Sequence, residues 1–180
     1  MAIIVALAGR RIDPPNPETE RFPARNIERV RRDIYQELKK RRARWLVSSA
    51  AAGADLLAIK AATDLGIASR IILSPSVREF ARMSVEHQGP YWTQEFENAV
   101  SAIAPDNIFC IPAQPAIADT FRSINERILS DAIALSVSGP DELVCFAVWD
   151  GDTRGKDDFT ADFVQRAATR GLPVTHINTV

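Results

Sequence analysis

Four segments of the chain place glycine, hydroxyl or charged residues at the point where an apolar run ends. The first is LAGRR at 7–11, in which Gly9 permits a tight exit from a strand and Arg10 or Arg11 can reach an anion. An ordinary turn with two surface arginines has the same composition. The segment therefore offers two interpretations, an anion contact and a plain turn.

The second segment is SSAAAGAD at 48–55, which consists almost entirely of small side chains. The hydroxyl of Ser49 can form hydrogen bonds, and Gly53 lets a ligand approach the backbone amides at the start of a helix. Small residues also let a helix pack closely on a sheet, and Asp55 in a first helical turn can simply complement the helix dipole. The segment matches neither GxGxxG nor the Walker pattern, so a phosphate or ribose cradle is one hypothesis and close packing is the other.

The third and fourth segments are FRSINERIL at 121–129 and WDGDTRGKDDFT at 149–160. Asn125 lies one turn from two apolar residues, where its amide needs partners from the backbone or from a ligand. Asp150 and Gly151 follow an apolar run, and Thr160 falls in the first turn of the next helix. An acid, an aromatic residue and a helix N-terminus can hold a sugar hydroxyl, a base and a phosphate, and they can equally do no more than cap a helix.

The elements that would position these segments alternate between apolar runs and helical stripes. The stripe of the first helical pattern, at 24–44, comprises Ile27, Val30, Ile34 and Leu38. Strands without polar alternation, separated by helices, predict a mostly parallel sheet covered on both faces, a doubly wound, Rossmann-like three-layer α/β/α fold. The six predicted strands are 3–8, 45–49, 70–74, 107–111, 143–149 and 173–177.

Length and charge restrict the class of protein. The chain has 180 residues, which we interpret as a single domain, and its 22 basic and 23 acidic residues leave a formal net charge of -1. This charge does not favour nucleic acid or an anionic membrane as a partner. No apolar stretch is long enough to cross a bilayer, and the first residues do not form a secretory signal, so we expect a cytoplasmic protein. Both Cys110 and Cys145 are expected to be buried thiols, and ligands for a metal site are lacking.

Taken together, the segments resemble the SLOG superfamily, the Rossmann-like domains that include DprA and the LOG phosphoribohydrolases, and in particular its small bacterial members of unassigned function. LAGRR is similar to the family's SGHR, and SSAAAGADLLAIKAA is similar to GAARGADLLAAEAA. EFARMSV at 79–85, with Trp92 and Phe96 after it, is similar to the middle segment. INERIL at 124–129 is similar to xNxxIL, and AVWDG with TADFVQRAATRGLPV is similar to the last strand, helix and strand.

The resemblance implies a single domain over 1–180 that binds a nucleotide-like ligand and forms a homo-oligomer, as family members commonly do. It implies no cofactor other than a nucleotide ligand. Three positions depart from the pattern: Asp158 and Phe159 stand where relatives carry a glycine pair, and Phe163 replaces the glutamate of the LOG enzymes. The residues that the resemblance places around the ligand are Gly9, Arg10, Ser49, Gly53, Asp55, Asn125, Asp150, Gly151 and Thr160.

Three functions are open at this point. The first is a domain that binds a nucleotide or nucleotide-derived signal, as a sensor in stress or defence signalling. The second is an N-glycoside hydrolase acting on nucleotides, with Asp150 or Asp55 as the acid; the missing glutamate argues against it, because the departing base loses its carboxylate partner. The third is a DprA-like binder of single-stranded DNA, which the near-neutral charge makes the weakest of the three.

Overall fold

The apolar runs assemble into one parallel sheet of six strands. The computed structural model describes residues 3–137 and 142–180. The strand order is β4-β3-β2-β1-β5-β6, and every neighbouring pair is parallel. The predicted doubly wound α/β class is confirmed, because purely parallel strands can be joined only by crossovers that cover the sheet. The strands are β1 (Ile3–Gly9), β2 (Ala43–Ser48), β3 (Ala68–Leu73), β4 (Ile108–Cys110), β5 (Glu142–Trp149) and β6 (Val174–Asn178).

Six helices cover the two faces of this sheet. The second helix packs between the first and the fourth on one face, and the fifth and sixth pack together on the other. The first helix is shorter than its pattern at 24–44, because Ala43 and Arg44 already belong to β2, where Ala43 pairs with Ile3. The helices are α1 (Ile27–Lys40), α2 (Ala54–Asp64), α3 (Val77–Ser84), α4 (Pro90–Ala102), α5 (Ile117–Val137) and α6 (Phe159–Thr169).

The strand order creates a crevice beside the first strand. The chain moves outward in one direction from β1 to β4, then crosses to the other side of β1 and continues through β5 and β6. In open parallel sheets, ligands bind outside the carboxyl ends of the strands at such a reversal. Here the reversal lies between β1 and β5, whose registers pair Gly9 with Val148. The first and fourth segments of the sequence therefore meet at this edge.

The two cysteines lie in different environments. Cys145 is buried in β5, as expected, whereas Cys110 is exposed. The expectation for Cys110 is wrong because β4 has only three residues and forms the outer strand of the sheet, so its end has no neighbour to cover it. In the ranges 3–137 and 142–180, no helix is long and apolar enough to cross a membrane.

Candidate functional site

A pocket opens at the carboxyl ends of β1 and β2, between the start of α2, the first half of α5 and the start of α6. Its cavity volume is about 70 Å³. Three of the predicted site residues, Gly53, Asp150 and Gly151, do not line it. The predicted residues that do are Gly9, Arg10, Ser49, Asp55, Asn125 and Thr160, and the apolar and other charged parts of the lining are Leu7, Ala8, Arg11, Ala51, Phe121, Ile124, Ile128, Arg154 and Phe159.

Asp55 is a buried carboxyl group at the edge of this pocket. It lies in the first turn of α2 and is 5% exposed. Its Oδ2 atom accepts hydrogen bonds from the Ser49 hydroxyl at 2.5 Å and from the Ala51 amide at 3.3 Å, whereas its buried Oδ1 atom has no partner. Burial raises the pKa of Asp55 to about 6, despite those two hydrogen bonds and the nearby charge of Arg11. Asp55 can therefore gain or lose a proton near neutral pH.

Arg10 is bound by the protein's own carboxylates. It is 2% exposed, and its Nε and Nη1 atoms donate to Asp150 at 2.7 Å and to Asp158 at 2.6 Å. Its Nη2 atom donates to the backbone carbonyl of Asp152, and its guanidinium lies 5.4 Å from the centre of the Trp149 ring. All three nitrogens of the side chain have protein partners, so Arg10 holds the end of β1 to the loop after β5.

Asp150 is held by two arginines. Besides the bond from Arg10, it accepts one from Arg21 at 2.5 Å, and Arg21 comes from the proline-rich segment 13–23. Burial opposes ionisation of Asp150, but the hydrogen bonds from Arg21 and Arg10 outweigh it and hold the pKa below its usual value. Asp150 therefore stays ionised and is a poor proton donor.

The first turn of α6 is capped by a side chain. Asp158 accepts hydrogen bonds from the amides of Thr160 at 3.1 Å, Ala161 at 3.0 Å and Arg154 at 2.7 Å. Although burial disfavours its charged form, the hydrogen bonds from Arg10 and from these amides hold the pKa of Asp158 low. A helix N-terminus can bind an external anion through such amides, but here an internal carboxylate occupies them. This is the structural consequence of an aspartate at position 158.

Two of the three predicted glycines, Gly9 and Gly53, lie where other parts of the chain approach closely. Gly53 adopts φ 125°, and a Cβ atom there would lie 2.6 Å from the Arg10 carbonyl oxygen and 2.7 Å from the Ile12 amide nitrogen. At Gly9 a Cβ atom would lie 2.4 Å from the Cβ of Ala54. Gly151 is exposed, and its added Cβ would meet nothing. The space beside Gly53 is thus occupied by the backbone that follows β1.

Asn125 and the aromatic residues form the wall on the α5 side. The Nδ2 atom of Asn125 donates to the Phe159 carbonyl at 2.8 Å and to Asp162 at 2.9 Å, which ties α5 to the start of α6. The rings of Phe121 and Phe159 lie 4.9 Å apart and both line the pocket. Phe163 is fully buried in the core. This wall is apolar and suits a ring.

The pocket lining includes two arginines, Arg11 and Arg154, that were not recognised together from the sequence. Arg11 was considered only as an alternative to Arg10, and Arg154 was not singled out from its polar loop. Both line the pocket. No sequence signal distinguishes them, since neighbouring arginines and a polar loop are usual surface features.

A second cleft, of about 530 Å³, lies between α3 and the start of α5. It contains none of the predicted residues and none of the buried side-chain atoms that lack partners. Among the described residues, no three histidine, cysteine or carboxylate side chains come together to hold a metal ion. Of these two cavities, the first pocket therefore holds the predicted residues and the unpartnered Oδ1 atom of Asp55.

No protein family model matches the chain, and no curated protein matches it. Among solved structures, it is similar to DNA processing protein A (DprA) from Streptococcus pneumoniae, with 14% sequence identity and a TM-score of 0.43. The match covers 97% of this chain and 58% of the DprA chain, so the chain spans less than two thirds of that structure.

Proposed function

We propose that this domain binds a nucleotide or a nucleotide-derived ligand in the pocket beside β1. The observation that carries the proposal is the Oδ1 atom of Asp55, which is buried, lacks a partner and belongs to a residue of the pocket lining. A buried polar atom without a hydrogen bond costs about 1–3 kcal/mol. A hydroxyl or amine donor on a ligand would remove that cost.

The rest of the lining suits the other parts of a nucleotide. Phe121, Ile124, Ile128 and Phe159 offer an apolar wall for a base or sugar ring. The cavity of about 70 Å³ is well below the roughly 300–1,000 Å³ of a complete ligand site. Only part of the ligand would be enclosed, and the remainder would lie across the mouth of the pocket.

Calorimetry with a panel of mononucleotides and their nucleosides tests the proposal. At least one compound should bind, and Asp55→Asn should weaken that binding about tenfold, since one hydrogen bond to a charged group contributes roughly 1.5–3 kcal/mol. Asp64→Asn, at the exposed end of the same helix, is the matched control and should bind like the unmodified protein. The proposal fails if no member of the panel binds, or if the two variants lose affinity equally.

Hydrolysis of an N-glycosidic bond is the second candidate function, and the pKa of Asp55 favours it. A general acid works best with a pKa near the working pH, and Asp55 meets this condition whereas Asp150 does not. Chromatography of free base released from nucleoside monophosphates separates the two functions. Turnover of about 1–10³ per second that is lost in Asp55→Asn would establish the hydrolase. Binding without base release would establish the binding protein, and a sensor role would then require a protein that recognises the bound state.

A further inference from the structure

We infer that Arg11 and Arg154 form an anion subsite at the mouth of the pocket, which takes the phosphomonoester group of a nucleoside monophosphate. The inference rests on the proposed function and specifies its ligand class. It also moves the phosphate contact away from Arg10, whose donors are occupied by the protein.

Arg11 is a cation that no carboxylate of the described residues approaches within ion-pair distance, although the charge of Asp55 acts on it. It follows β1, is exposed, lines the pocket and, among the described residues, makes no hydrogen bond or ion pair. Its neighbour Arg10 is buried with three protein acceptors. The guanidinium of Arg11 is thus available to a ligand at the pocket.

Arg154 reaches the same pocket from the loop between β5 and α6, and its side chain is about half exposed. Its nearest carboxylate atom, Oδ2 of Asp158, lies 3.9 Å from its Nε atom, beyond hydrogen-bonding distance. That oxygen already accepts the backbone amide of Arg154 at 2.7 Å. The guanidinium of Arg154 is therefore only weakly compensated.

The two guanidiniums repel each other. Partial burial and the positive charge of Arg154 both lower the pKa of Arg11, and only the charge of Asp55 acts in the opposite direction. An anion between two like charges removes this repulsion. A phosphomonoester carries about 1.5–2 negative charges near pH 7, which matches two guanidiniums, and its oxygens accept their paired N–H groups.

The loop that carries Arg154 is held in place on both sides. Arg10 and Arg21 both donate to the backbone carbonyl of Asp152. Arg122 donates to the Lys156 carbonyl at 3.2 Å and to the Asp157 carboxylate at 3.0 Å. A cation on an anchored loop loses less conformational entropy on binding than one on a free loop.

The lining offers a partner for each part of a nucleoside monophosphate. Asp55 has a buried acceptor for a hydroxyl or amine, the apolar wall can pack on a ring, and the two arginines can meet the dianion. A dinucleotide joined by a phosphodiester carries a single charge on that group and should bind less tightly.

The test measures binding of AMP, adenosine and inorganic pyrophosphate by calorimetry at low ionic strength, with other mononucleotide and nucleoside pairs as replicates. Arg11→Gln and Arg154→Gln should each weaken AMP binding at least tenfold and leave adenosine binding unchanged. Arg78→Gln, on the exposed side of α3 and outside the pocket, is the matched control. Thermal unfolding of each variant verifies that it is folded.

The outcomes separate the two proposals. If nucleotides bind and both pocket variants retain the AMP affinity, the subsite is overturned and nucleotide binding stands. If no nucleotide binds but pyrophosphate does, and this binding is lost in both variants, the subsite stands and the proposed function fails. If the unmodified protein binds none of these compounds, both are overturned. Equal losses for AMP and adenosine also overturn the subsite.

Discussion

Two adjacent arginines after the first strand have opposite environments. Successive side chains at a strand end point in different directions, so one of the pair faces the carboxylates after β5 and the other faces the pocket. Arg10 forms ion pairs with Asp150 and Asp158, two carboxylates whose side chains are almost completely buried. Arg11 forms no such ion pair among the described residues. The structural role of Arg10 and the binding role proposed for Arg11 thus belong to adjacent residues.

Replacing Arg10 should destabilise the fold strongly. Arg10→Met removes the cation that two buried carboxylates share and leaves Asp150 with Arg21 and Asp158 with backbone amides, and breaking a buried ion pair typically costs about 3–5 kcal/mol. Urea unfolding at pH 7 measures the loss. Arg25→Met is the control, since Arg25 also forms two bonds to a carboxylate, Glu20, but both partners are exposed, so the expected loss of unfolding free energy is much smaller. Similar losses in the two variants would show that the Arg10 cluster does not act as a buried ionic network.

Asp55 should make stability depend on pH. Its pKa is about 6 in the folded protein against 3.8 for the ordinary group, so between these values the folded state holds a proton that the unfolded chain releases. Stability should therefore fall as pH rises from about 4 to about 6, and the pKa difference corresponds to at most about 3 kcal/mol.

The difference in stability between the unmodified protein and Asp55→Asn isolates this effect, because every other titratable group is present in both proteins. Relative to the unmodified protein, the variant should gain up to about 3 kcal/mol in unfolding free energy between pH 4 and pH 7.5. Urea unfolding at several pH values provides the measurement. Parallel stability curves for the two proteins would contradict a raised pKa.

At the scale of elements, the junction between β1 and α2 depends on one glycine. The segments meet in an isolated bridge between Arg11 and Gly53, and the Ala54 amide donates to the Arg10 carbonyl at 3.1 Å. Ala50 and Ala52 are fully buried around this contact. The small residues of the second sequence segment thus let two loops of the chain approach each other, and Ala51 alone among these three alanines lines the pocket.

Gly53→Ala should lower stability much more than an alanine at another left-handed glycine. The added Cβ would collide with backbone atoms of Arg10 and Ile12, and the φ of 125° is itself strained for alanine, so we expect a loss of about 3 kcal/mol or more. Gly66→Ala is the control, because Gly66 has φ 68° and open space around it, and about 1 kcal/mol is expected. Chemical denaturation of both variants measures the two losses of unfolding free energy. Equal losses of unfolding free energy would mean that the backbone at the junction of β1 and α2 can shift to accommodate the added Cβ atom.

At the scale of the whole molecule, charge argues against a nucleic-acid partner. A formal net charge of -1 supplies no long-range attraction to phosphate backbones. Fluorescence anisotropy with labelled single-stranded DNA should show no binding at 200 mM salt and little at 50 mM. Affinity that rises steeply as salt is lowered would instead indicate several phosphate contacts and favour the DNA-binding alternative.

Self-association remains a prediction from the family resemblance. The large apolar side chains exposed on the described residues are Tyr91, Ile117 and Val180, on α4, at the start of α5 and at the chain end. Light scattering in solution would establish the oligomeric state.

The sequence by itself determined the class of fold, most of its elements and the sheet edge at which most candidate residues lie. Short apolar runs without alternation are typical of strands buried on both faces, and helical stripes between them favour parallel crossovers. Both are properties of neighbouring residues and can be read locally. Six of the nine candidate site residues therefore line one pocket.

Only the tertiary structure decided what each of these residues does. Arg10 meets its acidic partners across 140 and 148 positions of sequence, and no local pattern shows that Asp158 will neutralise it and cap α6 as well. The same holds for Gly53, whose neighbours come from the end of β1, and for Arg154, which lines the same pocket as Arg11 although 143 positions separate them in the sequence. Burial and charge compensation depend on contacts between distant segments, and those contacts exist only once the sheet has brought the segments together.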